Sequence, residues 1–189
     1  STRYYFENND LQSDNVPSDL LGTLGSYNRV GTYRDYGLEL GGPILKKRVF
    51  GWGAFGKTEP EIDIYTYGAS ARTLVAPTAG CGPTSSSSAP AGTYAVSARD
   101  CTTLTNYSAK LTAEIDGNTR SNVTFFYGDK GKLGRGASAT RPAETTWNQV
   151  SPTKLFKAEL SRTVGNSIFL TGRYAYTSSG FSLVPQGGT

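Results

Sequence analysis

Apolar side chains recur at every second position in about seven separate stretches of this chain, and a period of two repeated that often leaves little besides antiparallel β structure with two unlike faces. The clearest stretch runs from Tyr107 to Ile115. There Tyr107, Ala109, Leu111, Ala113 and Ile115 share one side, and Ser108, Lys110, Thr112 and Glu114 the other. The same alternation returns in Val123, Phe125 and Tyr127, in Phe156, Ala158 and Leu160, and in Ile168, Leu170, Gly172, Tyr174 and Tyr176. Earlier, Tyr36, Leu38 and Leu40 alternate with Gly37, Glu39 and Gly41. Phe50, Trp52 and Ala54 alternate with glycines, and Tyr4 and Phe6 mark a first strand.

The connections carry as much information as the strands. Residues 42–48, 116–120 and 164–167 are short and built from turn-forming residues, whereas residues 11–35, 69–103 and 131–153 are long and rich in Gly, Pro, Ser, Thr and Asn. Short and long alternate strictly, so all short turns fall at one end of the sheet and all long loops at the other. A membrane barrel has that asymmetry, with short periplasmic turns and long extracellular loops, and a soluble sandwich has no reason for it. No segment shows a capped 3.6-residue period, so no long helix is expected.

Composition agrees with an unusual core. Apolar residues make up 37% of the 189 residues, below the ~45–50% of ordinary domains, while Gly reaches 23 and Tyr 12. Charged residues are 18%, too few for a charge-driven disordered chain. No apolar run approaches the ~20 residues of a membrane helix, so any passage through lipid must use strands. There is no methionine and no leading signal segment, and the expectation is that the natural N-terminus is missing. The 19 Lys and Arg give a net charge of +4 but cluster only at Lys46-Lys47-Arg48, and with no groove-reading motif this excludes a nucleic-acid binder.

Gly51-Trp52-Gly53-Ala54-Phe55-Gly56 satisfies a dinucleotide-binding spacing, but that motif must open a helix whose N-terminus meets the pyrophosphate, and Lys57-Thr58-Glu59-Pro60 cannot do so. Histidine is absent, which removes Ser-His-Asp and Cys-His nucleophilic sites, and two cysteines alone do not make a zinc site. No catalytic residue, metal or cofactor is expected. Asn106-Tyr107-Ser108 and Asn122-Val123-Thr124 match the glycosylation sequon inside predicted strands and read as chance. Glu59, Glu61 and Asp63 share one side of an extended strand, with the parity of Val49 and Phe55, here expected to face a lumen. They form either a solvated acidic face or a contact for a cation or basic ligand at a barrel mouth.

Several motifs together resemble one family. Gly41-Gly42-Pro43-Ile44 followed by Lys47-Arg48-Val49-Phe50 is similar to a strand-turn-strand segment of TonB-dependent outer-membrane receptors of the Oar-like type, which carry a carboxypeptidase-regulatory-like domain. Gly134-Arg135-Gly136-Ala137-Ser138, Arg141-Pro142, Thr146-Trp147-Asn148-Gln149, Gly172-Arg173-Tyr174 and Val184-Pro185-Gln186-Gly187-Gly188 extend the likeness over nearly the whole chain. It departs at Phe50-Gly51-Trp52-Gly53-Ala54-Phe55-Gly56, where the family has consecutive aromatics.

The resemblance implies that residues 1–189 are the N-terminal part of a barrel of about 22 strands around a plug, in the bacterial outer membrane. Its partners would be outer-membrane lipid, the remaining strands and plug of the same protein, and the TonB complex through that plug. Its work would be energy-coupled uptake of an unidentified substrate. Arg135, Arg141 and Trp147 would then touch an anionic ligand or peptide, or pack a loop on the plug. Cys81 and Cys101, expected in one exposed loop outside any strand, would form a disulfide in the oxidising periplasm, with free thiols or metal capture as the alternatives. The competing reading is a secreted or surface β-rich adhesin or carbohydrate-binding module. A passive porin without a plug differs from the leading reading only by the resemblance.

Overall fold

A computed structural model describes residues 1–13, 17, 29–64, 66, 67, 74, 75, 82, 83, 98–136 and 146–185. The elements in chain order are β1 (Thr2–Asn8), a 3-10 turn (Asn9–Leu11), β2 (Arg29–Leu45), β3 (Val49–Ile64), β4 (Thr66–Tyr67), β5 (Leu74–Val75), β6 (Gly82–Pro83), β7 (Ala98–Asp116), β8 (Thr119–Arg135), β9 (Trp147–Val164), β10 (Ile168–Ser179) and β11 (Ser182–Pro185). The expected all-β antiparallel architecture is present.

One sheet follows the order β1-β2-β3-β7-β8-β9-β10, with β11 added on β9 and β6 on β7, while β4 and β5 pair with each other. Each strand of the main path lies beside its sequence neighbours on that path. Among the described residues β1 and β10 pair on one side alone, so the sheet does not close. The five inner strands are long, 16 to 19 residues each.

The three tight turns at residues 46–48, 117–118 and 165–167 sit at one end of the sheet. They are bonded sideways into it, since Glu114 N–H donates to the Arg48 carbonyl at 2.7 Å and Thr163 N–H to the Asn118 carbonyl at 2.9 Å. In the first turn Arg48 N–H donates to the Leu45 carbonyl at 3.1 Å, and Lys47 takes a left-handed φ of 64°. In the second, one Asp116 carboxylate oxygen accepts from Asn118 N–H at 2.8 Å and the other from the Thr119 hydroxyl at 3.1 Å. Those bonds hold the Asp116 carboxyl below its usual range.

Strand boundaries depart from the sequence expectation in a consistent direction. Gly42 to Leu45 belong to β2, so the first turn shrinks to three residues. Pro43 is tolerated because β1 pairs no further than Leu38, leaving that side of β2 without a ladder to lose, and the register slips between Pro43 and Leu45. Residues 98–103 are strand, and so are residues 131–135 and 147–153. Ladder bonds need no apolar side chain, so pairing continues after the hydrophobic alternation stops.

The β10 ladder also runs on. Pro152 in β9 has no N–H to give, and the strand breaks there into β10 and β11, with Gly180 N–H donating to the Pro152 carbonyl at 2.8 Å. The Gly51 to Gly56 segment lies wholly within β3, and Asn106 and Asn122 are strand residues of β7 and β8.

Candidate functional site

Directly opposed residues of an antiparallel pair share a face, so register assigns every side chain. Leu38 stands opposite Phe55, Phe55 opposite Tyr107, Tyr107 opposite Tyr127, and Phe125 opposite Phe156. Leu111 lies opposite both Gly51 and Val123, and Ala158 opposite Tyr174. One face is therefore apolar from β1 to β10. It is also uncovered. Leu40 is 68% exposed, Tyr4 70% and Leu111 42%, and among the described residues Cys101 is the one hydrophobic side chain that is buried. A chain folding in water hides such groups, because each large apolar side chain left exposed forgoes about 1.5–3 kcal/mol. Here an entire face forgoes it.

This register corrects one expectation. Phe55 lies on the face of Tyr107 and Leu111, whereas Trp52 is opposite Lys110 and Phe50 opposite Thr112. The faces of β3 are thus the reverse of those read from its sequence, and Glu59, Glu61 and Asp63 lie on the apolar face. The cause is local: Gly51, Gly53 and Gly56 leave the alternation in β3 poorly defined, and two of its three aromatic residues, Phe50 and Trp52, belong to the polar side while Phe55 belongs to the apolar one.

A row of rings bounds the apolar band. Tyr36 and Phe55 stand 6.3 Å apart, Phe55 and Tyr107 5.3 Å, and Tyr107 and Tyr127 6.2 Å, spanning four adjacent strands. Away from the tight turns the same face becomes charged at once. Lys57 lies 2.8 Å from Glu59, Arg34 3.2 Å from Glu61, and Arg99 3.2 Å from Glu61 and 2.7 Å from Asp63. The Lys57 ammonium holds the Glu59 carboxyl below its usual range against burial, which pushes it up. Three carboxylates thus meet three cations. No group of residues suited to a metal ion occurs among the described residues, and the acidic strand is a paired cluster rather than an open anionic patch.

The opposite face is polar. Arg3 pairs with Asp35, which also accepts from the Thr58 hydroxyl at 2.8 Å. Thr112 donates to Asn122 at 2.8 Å, and Arg173 to Glu159 at 2.9 Å. Lys110, Asn122, Thr124, Lys157 and Glu159 surround a cavity of about 180 Å³. Glycines admit close packing: a Cβ on Gly56 would come within 2.9 Å of the Asn106 amide oxygen.

The loop candidates separate. Gly134, at a left-handed φ of 74°, places an extra residue in β8 between Lys132 and Arg135, and this bulge brings Arg135 opposite Trp147. Arg135 donates to the buried Gln149 at 2.8 Å and lies 5.5 Å over the Phe181 ring. Its guanidinium is engaged in holding β8, β9 and the start of β11 together. Arg141 and Cys81 lie outside the described residues. Cys101 is described, and contrary to expectation it is a strand residue, buried in β7 opposite Glu61 and Leu133. The Phe181 contact and the Lys110 cavity were missed in the sequence reading. Lys110 is visible in the sequence as the polar partner of Leu111, but its cavity neighbours lie up to 49 residues away in the chain.

No family model, curated protein or solved structure matches the chain.

Proposed function

We propose that this sheet is part of the wall of an outer-membrane β-barrel, with the apolar face against lipid, the polar face toward a lumen, and the tight turns on the periplasmic side. The observation that carries the reading is the uncovered apolar face crossing all seven strands of the main path, with no hydrophobic core among the described residues. Three features agree with it. The alternating stretch from Tyr107 to Ile115 rises about 27 Å along its strand, or about 21 Å at a tilt near 40°, against an apolar belt ~25 Å tall in such barrels. The Tyr36-Phe55-Tyr107-Tyr127 row has the place of an interfacial girdle. The long segments all leave from the girdle end, and open edges at β1 and β10 call for further strands, since lipid tolerates no unpaired backbone.

Within that class, the Gly41-Gly42-Pro43-Ile44 segment and its basic turn support a transporter of the TonB-dependent, Oar-like type, in which this chain contributes wall and outer loops and performs no chemistry. Fractionation tests the membrane reading. After lysis the protein should sediment with envelopes, resist carbonate and urea washes, and enter solution only with detergent. Recovery as a monomer that melts cooperatively without detergent would instead identify a soluble surface module and refute the proposal.

A further inference from the structure

At one place on the polar face hydrogen-bond donors outnumber acceptors. Lys110, Thr124 and Lys157 stand in a single row across β7, β8 and β9, each directly opposite the next. Strands lie about 4.8 Å apart, so the two lysine backbones are separated by about 10 Å and their flexible arms reach the space over Thr124 from both sides. One step toward the tight turns, Thr112 donates to the Asn122 amide oxygen, which leaves the amide nitrogen of Asn122 to donate into the same cavity.

The electrostatics are lopsided. Lys110 belongs to none of the ion pairs among the described residues. Lys157 lies 3.5 Å from Glu159, but the same carboxylate oxygen takes the shorter 2.9 Å bond from Arg173. Glu114 and Arg120, the next charged pair toward the turn, stand opposite each other and offset in charge. The lining of the cavity of about 180 Å³ carries Lys110 and Lys157 against Glu159, a surplus of one positive charge, and Arg173 behind Glu159 neutralises that carboxylate. Two ammoniums, a hydroxyl and an amide that all donate, with the nearby acceptor already engaged, are the complement of an oxyanion.

We infer that the Lys110-Thr124-Lys157 row is a binding site for a small solute bearing a carboxylate or phosphate group. Its role as a station on a transport path rests on the lumen assignment above; the binding chemistry does not. Each ammonium donates to one oxygen of the anion, and the Thr124 hydroxyl and Asn122 amide fix the orientation. Phosphate and carboxylate share this recognition, and the competitor series below distinguishes them. An acidic side chain of the protein's own other segments is the rival occupant.

The test is competitive lysine acylation of the full protein in detergent or vesicles, with a water-soluble amine reagent read residue by residue by peptide mass spectrometry. Lys47 in the tight turn is the internal reference. Inorganic pyrophosphate at about ten times its dissociation constant should slow Lys110 and Lys157 roughly tenfold and leave Lys47 unchanged. Citrate acting more strongly than pyrophosphate would assign the site to carboxylates, and the reverse order to phosphates. Lys110→Gln should abolish the protection of Lys157, while Lys130→Gln, on the same face nearer the long segments, should not. Equal slowing by sodium chloride at matched ionic strength would overturn the proposal. So would Lys110 that is unreactive before any anion is added and becomes reactive on unfolding, because an acidic side chain would then already fill the site. Protection in a protein that never partitions into membranes would retain the site and refute the barrel.

Discussion

Leu111 and Lys110 are consecutive in β7 and sit at the same depth on opposite faces, which makes them a matched pair for testing the orientation of the sheet. Leu111 packs beside Gly51 and Val123, and 42% of it remains exposed. If that face meets lipid, the exposed part contributes about two-fifths of a full leucine burial, roughly 1 kcal/mol. Leu111→Lys forfeits this and places an ammonium near the bilayer midplane, a further ~2–4 kcal/mol. The sum is on the order of 3–5 kcal/mol. Lys110→Leu, opposite Trp52 and Thr124, makes the polar face more apolar and should cost under about 1 kcal/mol. Urea unfolding of the full protein refolded into vesicles measures both.

Because a soluble sandwich would also resist Leu111→Lys, single cysteines at 53, 54 and 109–112, in a background with Cys81 and Cys101 changed to Ser, supply the decisive readout. Positions 53, 109 and 111 should react with lipid-partitioning reagents, and 54, 110 and 112 with water-soluble ones. Reversal of that parity would refute the assignment of faces, and aqueous labelling at all six would remove the membrane strand.

Other consequences are as direct. Lys47→Gly should relieve the left-handed backbone of the first turn and stabilise the protein by about 0.5–1 kcal/mol in the same urea assay, after the entropy glycine adds to the unfolded chain, whereas Lys46→Gly should not. Gly134→Val should cost at least ~1–2 kcal/mol and unseat Arg135 from Trp147, seen as altered Trp147 fluorescence in a Trp52→Phe background. The Asp116 carboxyl is depressed in the folded protein, so the unfolded chain binds more protons near pH 4; its stabilising contribution is present above the ordinary carboxylate range and lost as pH falls through and below it. Asp116→Asn should flatten acid unfolding in that window, and an unchanged slope would exclude this carboxylate. Peptide mapping of non-reduced exported protein should link Cys81 to Cys101, and free thiols at both would dismiss the bridge.

Strand identity was legible wherever large apolar residues alternate with polar ones, as from Tyr107 to Ile115, because one side of the sheet is uniformly apolar. In β3 the strand was legible but its facing was not, because glycines remove the alternation and Phe50 and Trp52 occupy the polar side. Boundaries failed at the end away from the tight turns for another reason: residues 98–103 and 131–135 are held by backbone pairing, to which side-chain pattern is blind. The acidic parity of Glu59, Glu61 and Asp63 was readable, but not their neutralisation, since Arg34 and Arg99 arrive from neighbouring strands. Arg135 beside Trp147 depended on a bulge at Gly134 that spacing alone does not reveal.

The nearest-neighbour strand order also sets a sequence of events. β2 with β3, β7 with β8, and β9 with β10 are joined by two or three residues, so each couple closes on the microsecond scale of an isolated hairpin. Joining β3 to β7 must close the 33 residues between them, which costs about 2 kcal/mol more in chain entropy than a three-residue turn. The chain is therefore expected to assemble as three hairpins that zip edge to edge, and the slow events lie at the β3-β7 and β8-β9 seams. Shortening residues 65–97 should hasten assembly, while changes within the tight turns should act chiefly on how fast each hairpin is born.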